Sequence, residues 1–474
     1  MKNNRRSFLK LSGFAGLGLT GIGFTNSLYT GSNNQPGVRN NQQNKAHSQH
    51  FNMCGFAAPK IETVRIGFIG LGNRGPDAVE RMSHLEGVEI KALCDIRPEK
   101  VNVVKSALAG TSHRFTTYTN GEEEWKKLCE QPDIDLVYIA TPWSMHTPMA
   151  VYAMEHGKHV CVEVPAAVTL DECWQLVETS ERTRKHCMML ENCCYDFFEL
   201  LTLNLVRQGL FGEIIHGEGA YNHDLLKSNF SKDTYYDMWR LKENFRNGNL
   251  YPTHGLGPVA QVMNINRGDQ MEYLVATSTN DFMMSAMAKE LAAGDDFYKP
   301  FENKSYRGNM NITTIRTAKG RTIMLQHDVT SPNIYSRIYK ISGTKASCLK
   351  YPTPGRMAFG DKDWLTGEEF GEIETQYAPA IVKKVGEMAK KVGGHGGMDF
   401  IMDWRTIDCL RNGLPLDQDV YDAALWSAIA PLSEWSVTNR SGSIDVPDFT
   451  CGSWKKNEPI DISLERGGNT KVLA

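Results

Sequence analysis

Tyr251 and His254 stand three residues apart, and both side chains can move a proton. An imidazole titrates near working pH and a phenol can hand on a hydroxyl proton. They stand in Tyr251-Pro252-Thr253-His254, just before an apolar stretch with helical spacing near Gly255 to Asn264. The field at that helix N-terminus favours the neutral, basic imidazole. A second chemical feature is the turn Gly70-Leu71-Gly72-Asn73-Arg74-Gly75, followed twenty residues later by Asp95. Gly70 permits a tight turn, Gly72 lets backbone approach a diphosphate, and Gly75 allows a helix to pack on its strand. The helix amides then face phosphate charge. Asp95 can accept hydrogen bonds from both hydroxyls of an adenosine ribose, which favours NAD. Arg74 offers the opposite pull, toward a ribose phosphate.

These residues need strands to present them. Val64 to Ile69 is a β-branched apolar run ending at Gly70. Strands at Val88 to Cys94, Thr116 to Tyr118, Leu136 to Ala140, His159 to Glu163 and Met188 to Glu191 alternate with helical segments, the mark of a parallel sheet covered on both faces. Ligands bind at the carboxyl ends of such strands. Those ends carry Thr141-Pro142-Trp143-Ser144-Met145-His146, Glu163-Val164-Pro165 and Glu191-Asn192. Trp143 can cover a ring of the cofactor; His146 can cap its helix or touch the cofactor. After Asn192 come longer alternating segments, at 214–221, 271–278, 310–316, 322–328 and 336–342, with a hairpin turn at Ala318-Lys319-Gly320. The expected fold class is α/β, an N-terminal Rossmann doubly wound parallel sheet followed by an α+β domain on an open, mostly antiparallel sheet. Residues 61–192 form the first domain, 193–445 the second and 446–474 a C-terminal tail.

At 474 residues the chain exceeds one ordinary core, which supports the two-domain reading. A net charge of -3 without a Lys/Arg-dense stretch excludes a nucleic-acid footprint. No segment has the roughly 20 apolar residues of a membrane span. The 11 cysteines show no metal-type spacing and read as small buried hydrophobes, so no metal is expected. Residues 1–30 hold a twin-arginine signal, Arg5-Arg6-Ser7-Phe8-Leu9-Lys10, with a mild apolar run from Leu11 to Phe24; residues 31–60 read as a disordered linker. That route exports folded proteins. It implies a periplasmic or cell-surface enzyme that leaves with its nicotinamide cofactor already inside.

Thr141-Pro142 with His146, then Glu163-Val164-Pro165, then an open sheet with Ile341-Ser342-Gly343-Thr344-Lys345-Ala346, resembles the glucose-fructose oxidoreductase/inositol dehydrogenase (Gfo/Idh/MocA) family over about residues 63 to 440. Typical members carry Lys where this chain has Val164, and that Lys assists hydride transfer at a sugar hydroxyl. An apolar side chain cannot. The finer detail resembles glycoside hydrolase family 109, bacterial α-N-acetylgalactosaminidases that use NAD. It rests on Gly72-Asn73-Arg74-Gly75, Trp143-Ser144-Met145-His146, Glu163-Val164-Pro165-Ala166-Ala167, Asn192-Cys193-Cys194-Tyr195, Trp239-Arg240, Tyr251-Pro252-Thr253-His254-Gly255 and Gly393-Gly394-His395-Gly396-Gly397-Met398-Asp399.

The resemblance implies that Gly70, Gly72, Asn73, Arg74, Asp95, Trp143, Ser144, Met145, His146, Glu163, Val164, Asn192 and Arg240 bind NAD. It implies that Tyr221, Tyr251, Pro252, Thr253, His254 and Tyr335 meet the sugar, with Tyr195 as an alternative to Tyr221. The partner would be a glycan ending in α-linked N-acetylgalactosamine, and a homodimer through the exposed sheet is expected. In the implied chemistry, oxidation at carbon 3 makes the carbon 2 proton acidic. Its loss expels the leaving group, water adds, and the hydride returns, with overall retention; NAD-dependent glycosidases are exceptions to the two-carboxylate scheme. The rival readings are a net sugar oxidoreductase and a non-catalytic NAD-containing sugar-binding protein.

Overall fold

The computed structural model describes residues 47–473; the twin-arginine signal and residues 31–46 of the expected linker lie outside the described residues. Six parallel strands make the first sheet: β1 (Val64–Ile69), β2 (Val88–Cys94), β3 (Thr116–Tyr118), β4 (Leu136–Ile139), β5 (His159–Val162) and β6 (Cys187–Met189). Their order is β3-β2-β1-β4-β5-β6, the doubly wound arrangement whose direction reverses beside β1. Ile69 pairs with Cys94 on one side and Ile139 on the other, which brings Gly70, Asp95 and Thr141 to one edge. The central strands β1 and β4 are almost wholly buried because helices cover both faces.

The second sheet has eight strands: β7 (Ile214–Asn222), β8 (Met271–Ser278), β9 (Asn311–Thr317), β10 (Thr322–Asp328), β11 (Lys340–Gly343), β12 (Ala346–Leu349), β13 (Arg356–Phe359) and β14 (Ile444–Asp445). The order is β13-β12-β11-β7-β10-β9-β8-β14. All its pairings are antiparallel except β7 with β10, and the expected β9–β10 hairpin is present. In β9 burial alternates strictly, with Ile312, Thr314 and Arg316 outward, as one open face requires. The helix Thr253–Val262 packs on the inner face against β7. Close approach there needs glycine on both sides: a Cβ on Gly219 or Gly255 would strike the other residue's backbone.

One expectation needs correction. Residues 47–60 are no disordered tether. The His47 ring stacks on Trp174 at 3.7 Å, Met53 is buried, and the Tyr421 hydroxyl accepts from Gln49 Nε2 at 2.8 Å and from Met53 N at 3.2 Å. A few apolar and aromatic anchors inside a polar segment suffice to dock it, and average composition hides them. Packing also crosses the expected boundary near residue 193. The helix Val420–Thr438, buried on nearly every side, lies against both β8 and the helix Leu170–Thr183, and Met398–Asn412 packs on Gly75–Ser83. The tail returns too, with Leu85 bridging Val472. Among the described residues no helix is long and apolar enough to cross a membrane.

Two insertions in the second sheet, after β7 and after β8, meet in a satellite lobe. It has its own small core of Phe230, Met238, Leu241, Met284, Tyr298 and Tyr306.

Candidate active site

A cavity of about 580 Å³ opens at the carboxyl edge of the parallel sheet and is closed by residues of the second sheet and the lobe. Gly70 sits at φ +90, where a Cβ would lie 2.5 Å from the Ala140 carbonyl oxygen. A Cβ on Gly75 would collide with the Gly70 carbonyl, and one on Gly72 would meet Arg97 at 3.2 Å. The turn is therefore built for backbone to approach a ligand, and it fits a dinucleotide diphosphate. Asp95, almost wholly buried, accepts from Leu71 N at 2.8 Å and pairs with Arg97, Nε to Oδ1 at 3.1 Å.

Arg74 is not free for a ribose phosphate. Its Nε donates to Glu163 Oε1 at 3.1 Å and its Nη1 to Asp399 Oδ2 at 3.1 Å. Glu163 first, then Asp399, hold this guanidinium charged against the cost of burial. Asp399 also takes Asn192 Nδ2 at 2.5 Å and lies 2.9 Å from His395 Nδ1. Burial alone would raise the Asp399 carboxyl; His395, Arg74 and Arg81 hold it far below the carboxylate range. The glycine-rich 393–397 segment thus brings His395 to the cavity wall. His146 also lines the cavity, its ring nitrogens 2.7 and 2.8 Å from the Pro165 and Thr141 carbonyl oxygens, so it ties two strand ends together.

At the other end of the cavity, Trp143 stacks on Tyr251 at 5.5 Å and Tyr251 meets Tyr221 at 4.8 Å. The Arg240 guanidinium stands 5.4 Å from the rings of Trp143, Tyr235 and Tyr251. Burial pushes the Tyr221 and Tyr251 phenols up, Tyr251 well beyond its usual range, so at neutral pH both are proton donors. The His254 Nδ1 lies 2.7 and 3.0 Å from the two carboxylate oxygens of Glu191. Burial alone would raise the Glu191 carboxyl, yet His254 and neighbouring donors bring it below its ordinary value. An ionised carboxylate only accepts, so Nδ1 carries the hydrogen. In the neutral ring, Nε2 is then the open acceptor. Val164, buried in the cavity wall, supplies no proton.

Not every expected residue reaches the cavity. Tyr195 is buried elsewhere, its hydroxyl 3.3 Å from Asp417 Oδ2, so of the two alternatives Tyr221 is the one in the wall. Ser144 is exposed: in the three-residue turn Trp143–Met145 its neighbours point inward and it points out. Pro252 and Thr253 are buried outside the lining, because one residue along a helix turns the side chain by about 100° from His254. Tyr335 stands at the rim, 6.2 Å from Tyr221. Gly70, Gly72, Asn73, Met145 and the remaining expected residues line the cavity.

Sequence reasoning missed Glu191 as the partner of His254, Arg97, and the lobe. Asn73 Nδ2 donates to Thr234 O at 3.1 Å, and Arg97 lies over the Tyr236 ring at 5.1 Å, so the lobe closes on the glycine turn. The only signal was the placement of Glu191 at a strand end. Glu191, Cys193 and His254 offer donor atoms within 4.8 Å of one another. The Arg337 guanidinium 2.9 Å from Cys193 Sγ places a positive charge there, which disfavours a metal ion.

The fold and this site define a two-domain protein that uses NAD through a Rossmann domain: residues 64–191 match the oxidoreductase family with an NAD-binding Rossmann fold. Residues 195–456 match the glycosyl hydrolase 109 C-terminal domain. The chain belongs to glycoside hydrolase family 109. It is 49% identical to glycosyl hydrolase family 109 protein 2 of Phocaeicola vulgatus over 85% of this chain and 99% of that one. It is 48% identical to an α-N-acetylgalactosaminidase of Bacteroides fragilis over 85% and 96%. In fold it is similar to levoglucosan dehydrogenase in complex with NADH and L-sorbose, at 18% identity and TM-score 0.62, covering 82% of this chain and 100% of that one.

Proposed function

We propose that this enzyme hydrolyses terminal α-linked N-acetylgalactosamine with retention, by oxidation, elimination, addition and reduction on one sugar ring. The observation that carries this reading is the Glu191-oriented His254 at a cavity wall where Val164 replaces a proton-transferring lysine. NAD, when bound, supplies reversible removal of the hydride at carbon 3. His254 Nε2 takes the carbon 2 proton, and Glu191 stabilises the imidazolium that results. The carbon 3 hydroxyl proton passes to the Tyr251 oxygen as that phenol releases its own proton to solvent, and Tyr221 donates a hydrogen bond to the carbon 3 oxygen as it becomes a carbonyl. Trp143 and Arg240 flank the reacting ring, and Glu163 with Arg74 orients the nicotinamide ribose. The sugar identity is supported by the name of the Bacteroides fragilis relative. Export by the twin-arginine route is supported by Arg5-Arg6 and the apolar run after it.

The test uses an aryl α-N-acetylgalactosaminide in deuterated buffer. Release of the aryl alcohol with deuterium at carbon 2 and no accumulating NADH is expected. Stoichiometric NADH with an oxidised sugar would establish net oxidoreduction instead, and no turnover would leave a sugar-binding protein.

A further inference from the structure

Arg307 is 1% exposed and has no ionic partner. Its Nε donates to the Gly308 carbonyl at 3.1 Å and its Nη2 to the His327 carbonyl at 3.0 Å, while Nη1 lies 2.8 Å from His327 Nδ1. Among the described residues no carboxylate pairs with it. The charge of Asp328 favours the ion, but its oxygens are turned to Thr330 N, Ser331 N and Asn333 Nδ2, at 2.9, 3.0 and 3.0 Å. Burial pushes the guanidinium down to about 10, so it is still charged at neutral pH. An unpaired buried charge costs the fold stability, so stability does not account for it.

The contacts of Arg307 lead toward the cavity. His327 stands opposite Tyr221 in the parallel pairing of β10 with β7, and the two rings are 6.3 Å apart. His327 Nδ1 accepts from Leu250 N at 3.1 Å, one residue before Tyr251. Burial first, then Arg307 and Arg240, hold this imidazole neutral, so its Nδ1 lone pair meets both donors. Arg307 N donates to Asn244 O at 2.9 Å, and Asn244 Nδ2 donates to Arg240 O at 2.8 Å. One cation is thus tied, through His327 and Asn244, to Tyr221, Tyr251 and Arg240, which line the cavity.

The proposed reaction places negative charge on the carbon 3 oxygen. When the carbon 2 proton passes to His254 Nε2, the C–H electron pair forms a double bond to carbon 3 and the oxygen there takes the charge. The pair then closes the double bond between carbons 1 and 2 as the bond to the leaving oxygen breaks, and that oxygen carries the charge away. A fixed cation in a wall of low dielectric favours such charge without having to rearrange.

We propose that Arg307 is a positioning residue for this reaction: held on His327 behind Tyr221 and Tyr251, its unpaired charge stabilises the anionic carbon 3 oxygen. The proposal rests on the glycosidase reading and deepens it.

The test measures kcat, KM and a melting curve on an aryl α-N-acetylgalactosaminide for the wild type, Arg307→Met, Arg307→Gln and Arg307→Lys. The two neutral variants should lose about ten- to hundredfold in kcat with KM within about threefold of the wild type. Lys keeps the charge without the planar fork and should recover about fivefold or more over them. A Lys variant as slow as the neutral ones, neutral variants with wild-type kcat, or a loss confined to KM would overturn the proposal. If Arg307→Met alone fails to fold, Arg307→Gln decides, since its amide can still donate to a carbonyl. If both neutral variants fail to fold while Lys folds, the charge serves the fold and the proposal is overturned. A wild type that cleaves no α-N-acetylgalactosaminide refutes the glycosidase reading itself, and the role of Arg307 falls with it; an active wild type with unimpaired neutral variants refutes only that role.

Discussion

Glu191 and His254 face each other across the junction of the two sheets, 63 residues apart in the chain and 2.7 Å apart at their nearest polar atoms. One follows β6 and the other opens the helix Thr253–Val262. The expected influence on this imidazole was the field of the helix that it opens. The carboxylate in direct contact is the nearer and stronger partner, and it fixes which nitrogen faces the cavity.

Replacing Glu191 with Gln should lower kcat by about 10²–10⁴ while the fold persists, because an amide can present its N–H to Nδ1 and select the wrong tautomer. His254→Ala should cost a similar factor. The two losses should not multiply in the double variant, since both remove one unit. Steady-state kinetics with a melting curve for each variant checks this.

Tyr195→Phe should leave kcat and KM unchanged, since that hydroxyl bonds Asp417 away from the cavity. Its loss should cost roughly 1 kcal/mol of stability. Tyr221→Phe, in the wall, should lower kcat/KM. A pair of kinetic and denaturation measurements separates the two tyrosines.

The lobe should slow cofactor escape. Tyr236→Ala removes the ring under Arg97, and Asn73→Ala removes the bond to Thr234 O. Each should shorten NAD residence about two- to fivefold. The readout is NAD retained by the protein during dialysis, which does not depend on turnover.

A buried charge cluster behind Tyr335 should make stability depend on pH. Burial first, and Asp196 second, push the Glu199 carboxyl from 4.5 up to about 7, against the pull of Lys350 and Arg337. Folding therefore favours its protonated form. That contribution is fully present below 4.5 and is lost as pH rises through about 7. Glu199→Gln should flatten the pH dependence over this window, read from denaturant midpoints at about pH 4 and about pH 8. An unchanged slope would assign the dependence to other groups.

The parts of the site that were legible are local. Gly70, Gly72 and Gly75 act within one strand–turn–helix unit, and Asp95 ends the next strand. Trp143 and Val164 follow strand ends that their own apolar runs define. The docking of residues 47–60 is not legible in the sequence because polar composition averages over the few side chains that dock. The sequence leaves Arg74 between two roles because its partners, Glu163 and Asp399, are 89 and 325 residues away.

From its residue pattern alone, the chain determined the parallel sheet, the glycine turn and the strand edge where a dinucleotide binds, since hydrophobic period and turn geometry are short-range properties. Tertiary structure decided which of Tyr195 and Tyr221 meets the cavity, that Glu191 holds His254, and that a lobe from two separate insertions closes over the glycine turn. Those outcomes depend on how helices and sheets pack, and packing brings together side chains that no spacing in the sequence relates.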